Sequence, residues 1–357
     1  MSPLYLRGQR WQVSSRLGGP EIVQSKEKAS SETGSEVEAK KQALVDLYRQ
    51  MYLIRQFEEV CGEMYTRGLV RGFLHLYIGE EAIAVGAISQ LQSHDYIVTH
   101  YRDHGHAIAR GLDTNKIMAE LFGRTGGLSK GKGGSMHLFD AEKGFMGGHA
   151  IVGGQFPLAA GLALSHQYRK TDGVCVVFFG DGSTNQGTYH EVMNLAAVWK
   201  LPILFFLENN LYGMGSRFDR VRAGGEDFYP GAATYGIDQA AVVDGMDVLA
   251  VQEATKLALE SIRAGNGPAF IEAKTFRFQG HSMADPVKYR ESSETAAWEK
   301  RDPITTFPQQ LLDQKLVTEE ELEEIQASVD AEVAESVKFA EDSPFPPDEE
   351  LFTDIYA

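Results

Sequence analysis

The first patterned stretch begins near Gln42, where Leu44, Leu47, Met51, Ile54 and Val60 recur at helical spacing. A second helix is expected after "HLYIGE", carrying Ala82, Val85, Ile88 and Leu91. "DYIVTHYRDHGH" reads as extended. Residues 123–134, "GRTGGLSKGKGG", are half glycine and predict a loop. Residues 151–165 predict a helix of small residues packed closely on a neighbour. Then apolar runs of strand length alternate with helical stretches. "VCVVFFG" (174–180) and "PILFFLENN" are unalternated strands, with "YHEVMNLAAVWK" a helix between them. "AVVDGMDVLAVQEATKLALESIRA" starts extended and turns helical at about Val251, and "PAFIEAKTFRF" is a further strand. Strands without polar alternation, separated by helices, predict an α/β fold: a parallel sheet covered by helices on both faces. Ligands bind such sheets outside the carboxyl ends of the strands, which puts "GDG" and "ENN" on one edge.

From about residue 300 the chain reads as a C-terminal helical extension. Thr318 and Glu321 form a capping box, and Val317 and Leu322 can staple it. Leu322, Ile325, Val329, Val333 and Val337 mark one face before "SPFPPDEE" ends the helix. Residues 1–40 carry no such pattern and read as a disordered segment ahead of one domain over 41–357. Residues 1–20 hold three arginines and no acid, which faintly resembles an organelle transit peptide. A mitochondrial or plastid location therefore stays open beside a bacterial cytoplasm.

The net charge of −16 argues against nucleic-acid binding, because a phosphate backbone calls for a basic surface. No apolar run reaches the ~20 residues of a membrane span. Cys61 and Cys175 are far apart and show neither disulfide nor zinc spacing, which fits a reducing compartment.

The chemical question is posed by "FFGDGSTNQG", where Asp181 stands between two glycines at a strand exit. "GDGSTN" resembles a dinucleotide loop, and Glu208 could then hold a ribose. But Asn185 replaces the third glycine, and Asp181 would repel a pyrophosphate at the helix N-terminus. "GGLSKGK" has the glycine–lysine spacing of a P-loop. Gly133, however, stands where a Ser or Thr must bind Mg²⁺, and no strand leads in. "HEVMN" lacks a zincin's second histidine, with Asn194 in its place. A divalent cation between Asp181 and a diphosphate explains the carboxylate instead. After "GDG" come 26 residues, the length of one helix and one strand, and then Asn209 and Asn210. That crossover returns the chain beside its start, so Asp181 and Asn210 can face one cation. Gly182 and Ser183 would offer backbone N–H groups to the phosphates. A tight turn and a helix-capping asparagine are the plain alternative.

GDG, about 26 residues and then NN is the signature of thiamine-diphosphate enzymes. From about residue 44 onward the chain resembles the α subunits of heterotetrameric thiamine-diphosphate-dependent 2-oxo acid dehydrogenases. The resemblance rests on "HLYIGEEA", "YRDHGH", "GKGGSMH", "IVGGQFPLAAG", "GDGSTNQG", "NLAAVWKLPILFFLENNLYGMG", "VDGMDV" and "GHSMADP". "NNLYGMG" leans towards pyruvate as the 2-oxo acid substrate, with acetoin and branched-chain 2-oxo acids as alternatives. The resemblance implies a thiamine-diphosphate-binding fold of the diphosphate type. It implies that Asp181, Asn210 and the Tyr212 carbonyl hold Mg²⁺. Tyr101, Arg102 and Arg277 would bind the diphosphate with Gly182 and Ser183, and Val152 and the backbone at Ala150 would meet the aminopyrimidine. His281 would sit by the diphosphate and the substrate, and His75, His104 and His137 near the active-site channel. For each histidine the plain alternative is a hydrogen-bonded loop residue; for Arg102 and Arg277 it is a structural salt bridge.

Only one diphosphate-type domain is legible, so the resemblance implies a β subunit that supplies the aminopyrimidine half of the site in an α₂β₂ assembly. It also implies a lipoyl-bearing dihydrolipoamide acetyltransferase as acceptor. The segment 276–292, "FRFQGHSMADPVKYRES", reads as a mobile loop that orders over the diphosphate. Of three serine positions phosphorylated in animal relatives, Ser282 is kept, and Lys288 and Arg217 replace the others.

Overall fold

The computed structural model describes residues 34–355. The transit-peptide-like residues 1–20, and the chain up to residue 33, lie outside the described residues. Helix α1 (Gly34–Thr66) starts well ahead of Gln42, so residues 34–40 are helical rather than disordered. The chain continues through α2 (Glu81–Ile88), β1 (Tyr96–His100), α3 (His104–Ala109), α4 (Thr114–Leu121), β2 (Phe145–His149) and α5 (Gln155–Arg169). Strand β3 (Cys175–Gly180), α6 (Gly187–Trp199) and β4 (Ile203–Asn209) form one crossover, followed by a small hairpin of β5 (Tyr212–Gly213) and β6 (Ser216–Arg217). Then come β7 (Ala240–Asp244), α7 (Val248–Arg263), β8 (Ala269–Lys274), α8 (Ser292–Glu299), α9 (Pro303–Asp313) and α10 (Glu319–Asp342).

Six strands form one sheet in the order β2-β1-β3-β4-β8-β7, and every neighbouring pair is parallel. Val176, Phe178, Leu204 and Phe206 face the core shared with α1, α2 and α7. Cys175, Val177, Phe179, Ile203, Phe205 and Leu207 face the opposite core, under α5 and α6. Both faces are covered, which is why these strands show no polar alternation. Strand β1 has β2 on one side and β3 on the other, so the order reverses there. Such a switch point opens a crevice at the carboxyl ends of the two strands.

"DYIVTHYRDHGH" divides into two elements, since the strand ends at His100 and α3 begins at His104. The small-residue helix starts at Gln155 rather than 151. Strand β2 and helix α4 were not expected. The "FMGGH" of β2 carries two glycines and no β-branched residue, so only its pairing with β1 makes it a strand. The capping box of α10 is formed as read, with Thr318 Oγ1 accepting the Glu321 N–H at 3.2 Å and Glu321 Oε2 accepting the Thr318 N–H at 2.9 Å. Val329, Val333 and Ala340 of α10 join the α1 and α4 core, so the C-terminal helices share the sheet's own core. No helix among the described residues is long and apolar enough to cross a membrane.

The glycine-rich loop has a specific cause. Glu120, fully buried at the end of α4, accepts the N–H groups of Ser129 (2.8 Å), Gly131 (2.9 Å), Gly133 (2.7 Å) and Gly134 (3.1 Å). The loop is a nest closed around an internal carboxylate. At Gly127 a Cβ would come within 2.3 Å of that carboxylate and 2.6 Å of Glu120 Cα, so no side chain fits. Those donors are spent, which disposes of the P-loop reading. Glu120→Ala leaves these N–H groups without their acceptor and is expected to cost about 1–3 kcal/mol, the scale for buried donors left unsatisfied. Denaturant unfolding reads this, and a loss below about 1 kcal/mol would contradict the nest's structural role.

Candidate active site

A cavity of about 340 Å³ lies at the carboxyl edge of the sheet. Tyr101 and Arg102 reach it after β1, and Asp181, Gly182 and Ser183 after β3. Asn210 and Tyr212 arrive after β4, Arg277 and His281 after β8, and Val152 ahead of α5. These residues, scattered in sequence, converge because parallel strands all exit on one edge. Gly180 pairs in register with Glu208, which sets Asp181 beside the Asn209–Asn210 pair.

Asp181 is 3% exposed, and its Oδ2 has no hydrogen-bond partner. Burial pushes its carboxyl up to about 6, against the pull of the Arg277 guanidinium. A buried carboxylate oxygen without a donor fits a cation. Asn210 donates from Nδ2 to Glu80 Oε1 at 3.1 Å, which turns its amide oxygen away from Glu80. That oxygen accepts the Tyr212 N–H at 3.3 Å. A Cβ on Gly182 would lie 3.3 Å from Gly213 Cα, so the two strand exits approach backbone to backbone.

The opposite wall is cationic. Arg102 and Arg277 are both buried. Arg102 donates to the carbonyls of Leu76 (2.7 Å) and His281 (2.9 Å), and its Nε lies 3.6 Å from Glu80 Oε2. Arg277 donates to the Gln279 carbonyl (3.2 Å) and the Tyr289 hydroxyl (3.0 Å). Among the described residues no carboxylate lies within 4.0 Å of the Arg277 nitrogens, so it makes no structural salt bridge. Burial, foremost, raises Glu80 to about 7 despite Arg102 beside it. Glu80 is therefore only partly ionised near neutral pH and leaves the Arg102 charge incompletely matched. Two buried cations held mainly by neutral acceptors fit a polyanion such as a diphosphate.

His75, His281 and Tyr101 form a ring cluster beside this wall, with centroids 4.5 Å (His75–Tyr101), 5.1 Å (His75–His281) and 5.6 Å (Tyr101–His281) apart. The Nδ1 atoms of both histidines are buried without partners. Burial first, and Arg102 second, lowers His281 to about 3 and His75 to about 2, so both imidazoles are neutral at pH 7.

The other marked histidines are placed differently. His104 is fully buried outside the cavity wall, where Nδ1 meets Glu58 Oε2 and Nε2 meets Ser135 Oγ, both at 2.9 Å. Both ring nitrogens are engaged there, and His104 is not among the residues that line the cavity. Glu58, Cys61 and His104 have ligand atoms within 4.8 Å of one another, but the same hydrogen bonds already engage the histidine and the carboxylate. His137 Nδ1 donates to the Gly148 carbonyl at 3.1 Å, and neither His137 nor Ala150 lines the cavity.

His100 and Glu208 line it, and neither was singled out as a site residue by the cation reading. Glu208 accepts from the Tyr77 hydroxyl, from His106 Nε2 (2.9 Å) and from His100 Nε2. Burial opposes ionisation there, yet His106 and His100 hold this carboxyl well below the usual range. His100 Nδ1 in turn accepts the Arg102 N–H at 3.1 Å. Glu208 thus braces the β1 exit that presents Arg102, and its oxygens are not free for a ribose. Only the "E" of "ENN" hinted at this, because its partners come from three other segments.

The loop 276–292 docks along the wall. The N–H groups of Phe278 and Met283 donate to the carbonyls of Ile78 (3.1 Å) and Leu74 (3.0 Å). Asp285 accepts from the N–H groups of His281 (2.7 Å) and Val287 (2.9 Å) and from the Tyr289 hydroxyl (2.5 Å).

The family model of the dehydrogenase E1 component matches residues 49–349. The chain is 48% identical over 319 residues to the pyruvate dehydrogenase E1 component subunit alpha of Zymomonas mobilis, covering 89% of each chain. It is 47% identical over 323 residues to the protein of that name in Rhizobium meliloti, covering 90% of this chain and 92% of the relative. It is 42% identical over 338 residues to the pyruvate dehydrogenase E1 component subunit alpha-3, chloroplastic, of Arabidopsis thaliana, covering 93% of this chain and 78% of that one.

Proposed function

This chain belongs to the dehydrogenase E1 component family, and on that premise we propose that it is the α subunit of a pyruvate dehydrogenase E1 component, decarboxylating pyruvate oxidatively with thiamine diphosphate. The relatives named for pyruvate favour it over acetoin or branched-chain 2-oxo acids. The observation that carries the cofactor reading is Asp181, a buried carboxylate with a partnerless oxygen, set across one cavity from Arg102 and Arg277. Asp181, Asn210 and the Tyr212 carbonyl would hold Mg²⁺; Tyr101, Arg102 and Arg277, with the Gly182 and Ser183 backbone, would hold the diphosphate. Val152 would meet the aminopyrimidine, and Ala150 stays a weaker candidate from outside the cavity wall.

Thiamine diphosphate, when bound, supplies the carbon nucleophile and the electron sink that decarboxylation needs. The chain's own task is to bind, orient and keep water out. His281 and His75, neutral and unpartnered at Nδ1, are suited to hold or pass a proton near the substrate. We read the site as half of a whole. A β subunit would supply the aminopyrimidine wall and its activating glutamate in an α₂β₂ assembly. The acetyl unit would leave on a lipoyl group of a dihydrolipoamide acetyltransferase. The bacterial relatives favour the cytoplasm as its location.

Thiamine diphosphate is expected to raise the melting temperature only when Mg²⁺ is present, whereas NAD leaves it unchanged with or without the metal. A shift with NAD, or one with thiamine diphosphate that ignores Mg²⁺, would overturn the assignment.

A further inference from the structure

Two parts of the cavity wall meet behind it. The turn after β4 carries Asn210 and Tyr212, and the loop 276–292 carries Arg277 and His281. Glu294, in the first turn of α8, follows that loop directly. Its Oε2 accepts the Tyr212 hydroxyl at 2.7 Å, and its Oε1 accepts Arg217 Nη1 at 2.7 Å. Both oxygens of one carboxylate are thus given to the β5–β6 hairpin. Tyr289 of the loop packs against the same hairpin. Its ring centroid lies 5.6 Å from that of Tyr212, and a Cβ on Gly215 would come within 3.0 Å of its ring.

The hairpin needs outside support. Its strands are two residues each, and an isolated pair of that size does not hold itself in water. Leu211 (φ +74°) and Met214 (φ +54°) are left-handed without being glycine, a conformation that persists only where neighbours fix it. Glu294 and Tyr289 are those neighbours from the loop side.

We propose that Glu294 is a positioning residue that couples the cation-binding turn to the loop presenting Arg277 and His281. The proposal rests on the functional reading, since that reading makes the turn a cation site. Glu294 touches no reacting group and acts through Tyr212 and Arg217. Its bonds to Arg217 and Tyr212 are charge-assisted, and so stronger than neutral ones. The turn and the loop then order and loosen as one unit, and filling the cation site draws Arg277 and His281 into place.

Hydrogen exchange on the full-length chain tests this. In the cofactor-free protein, Glu294→Gln is expected to speed exchange in residues 210–217 and 276–292 together by about tenfold, the scale of one lost charge-assisted hydrogen bond. Tyr212→Phe, which keeps the ring and the backbone carbonyl, should speed the same two segments by a smaller factor. With saturating Mg²⁺ and thiamine diphosphate, wild type should protect 276–292, and Glu294→Gln should still bind but lose most of that protection. Faster exchange confined to α8, or to only one of the two segments, would overturn the coupling. A wild type unprotected by Mg²⁺ and thiamine diphosphate would overturn the cofactor reading, while the cofactor-free comparison still decides the coupling.

Discussion

Asp181→Asn is expected to stabilise the unliganded protein near neutral pH and to abolish its Mg²⁺-dependent binding of thiamine diphosphate. Burial raises the Asp181 carboxyl from 3.8 to about 6. A group whose folded pKa is raised opposes folding once it must ionise. The cost is absent below about pH 4, grows between pH 4 and 6, and is complete above that range. An uncharged amide of the same shape removes it, a gain on the order of 1–3 kcal/mol at pH 7.5 and nothing at pH 4. The same change removes the anionic oxygen that would hold the cation. Wild type should recover more than this cost when Mg²⁺ and thiamine diphosphate are added, because a ligand that binds only the folded state stabilises it by mass action. Melting curves at both pH values, with and without cofactor, read the effects separately. A variant that melts like wild type without ligand, and still shifts with Mg²⁺ and cofactor, would sink the assignment of Asp181.

That carboxylate shows what the sequence could and could not disclose. Asp181 and Asn210 were legible because the physics linking them is local. An apolar run ending in a bare aspartate, then one crossover's length of chain, places two strand exits side by side without further information. The central strands were legible for the same reason: a fully buried parallel strand must be apolar on both faces. Strand β2 was not legible, since its glycines have no intrinsic preference for a strand and the pairing comes from β1. The extended reading ran through His106; Asp103 stands at the start of α3, but its side chain makes no capping bond there and accepts the Leu138 N–H instead.

Histidine roles were the least legible, because burial and partner choice are tertiary facts. His104 and His281 look alike in sequence. One is sealed against Glu58 and Ser135, and the other faces the cavity with a free Nδ1. The glycines of 123–134 could be read as a loop but not explained, because the carboxylate they wrap is Glu120 of the preceding helix. Glu208 escaped for a similar reason: its three donors come from Tyr77, His100 and His106.

The largest effect expected is that of the partner subunit. On the proposed reading the chain would present the wall for a cation and a diphosphate, and Val152 at its edge is 42% exposed with Ile151 beside it 76% exposed. Among the described residues, nothing closes over that edge to activate an aminopyrimidine. Orientation and a preorganised environment account for many orders of magnitude in enzymatic rates, so half a site should lose nearly all of its rate. The direct measurement is pyruvate turnover with an artificial electron acceptor, Mg²⁺ and thiamine diphosphate, on the purified chain alone and after addition of its β subunit. The expected result is turnover of the reconstituted α₂β₂ assembly at least about 1000-fold above that of the chain alone. Comparable turnover by β-free protein, or a reconstituted assembly inactive towards pyruvate, would contradict the account.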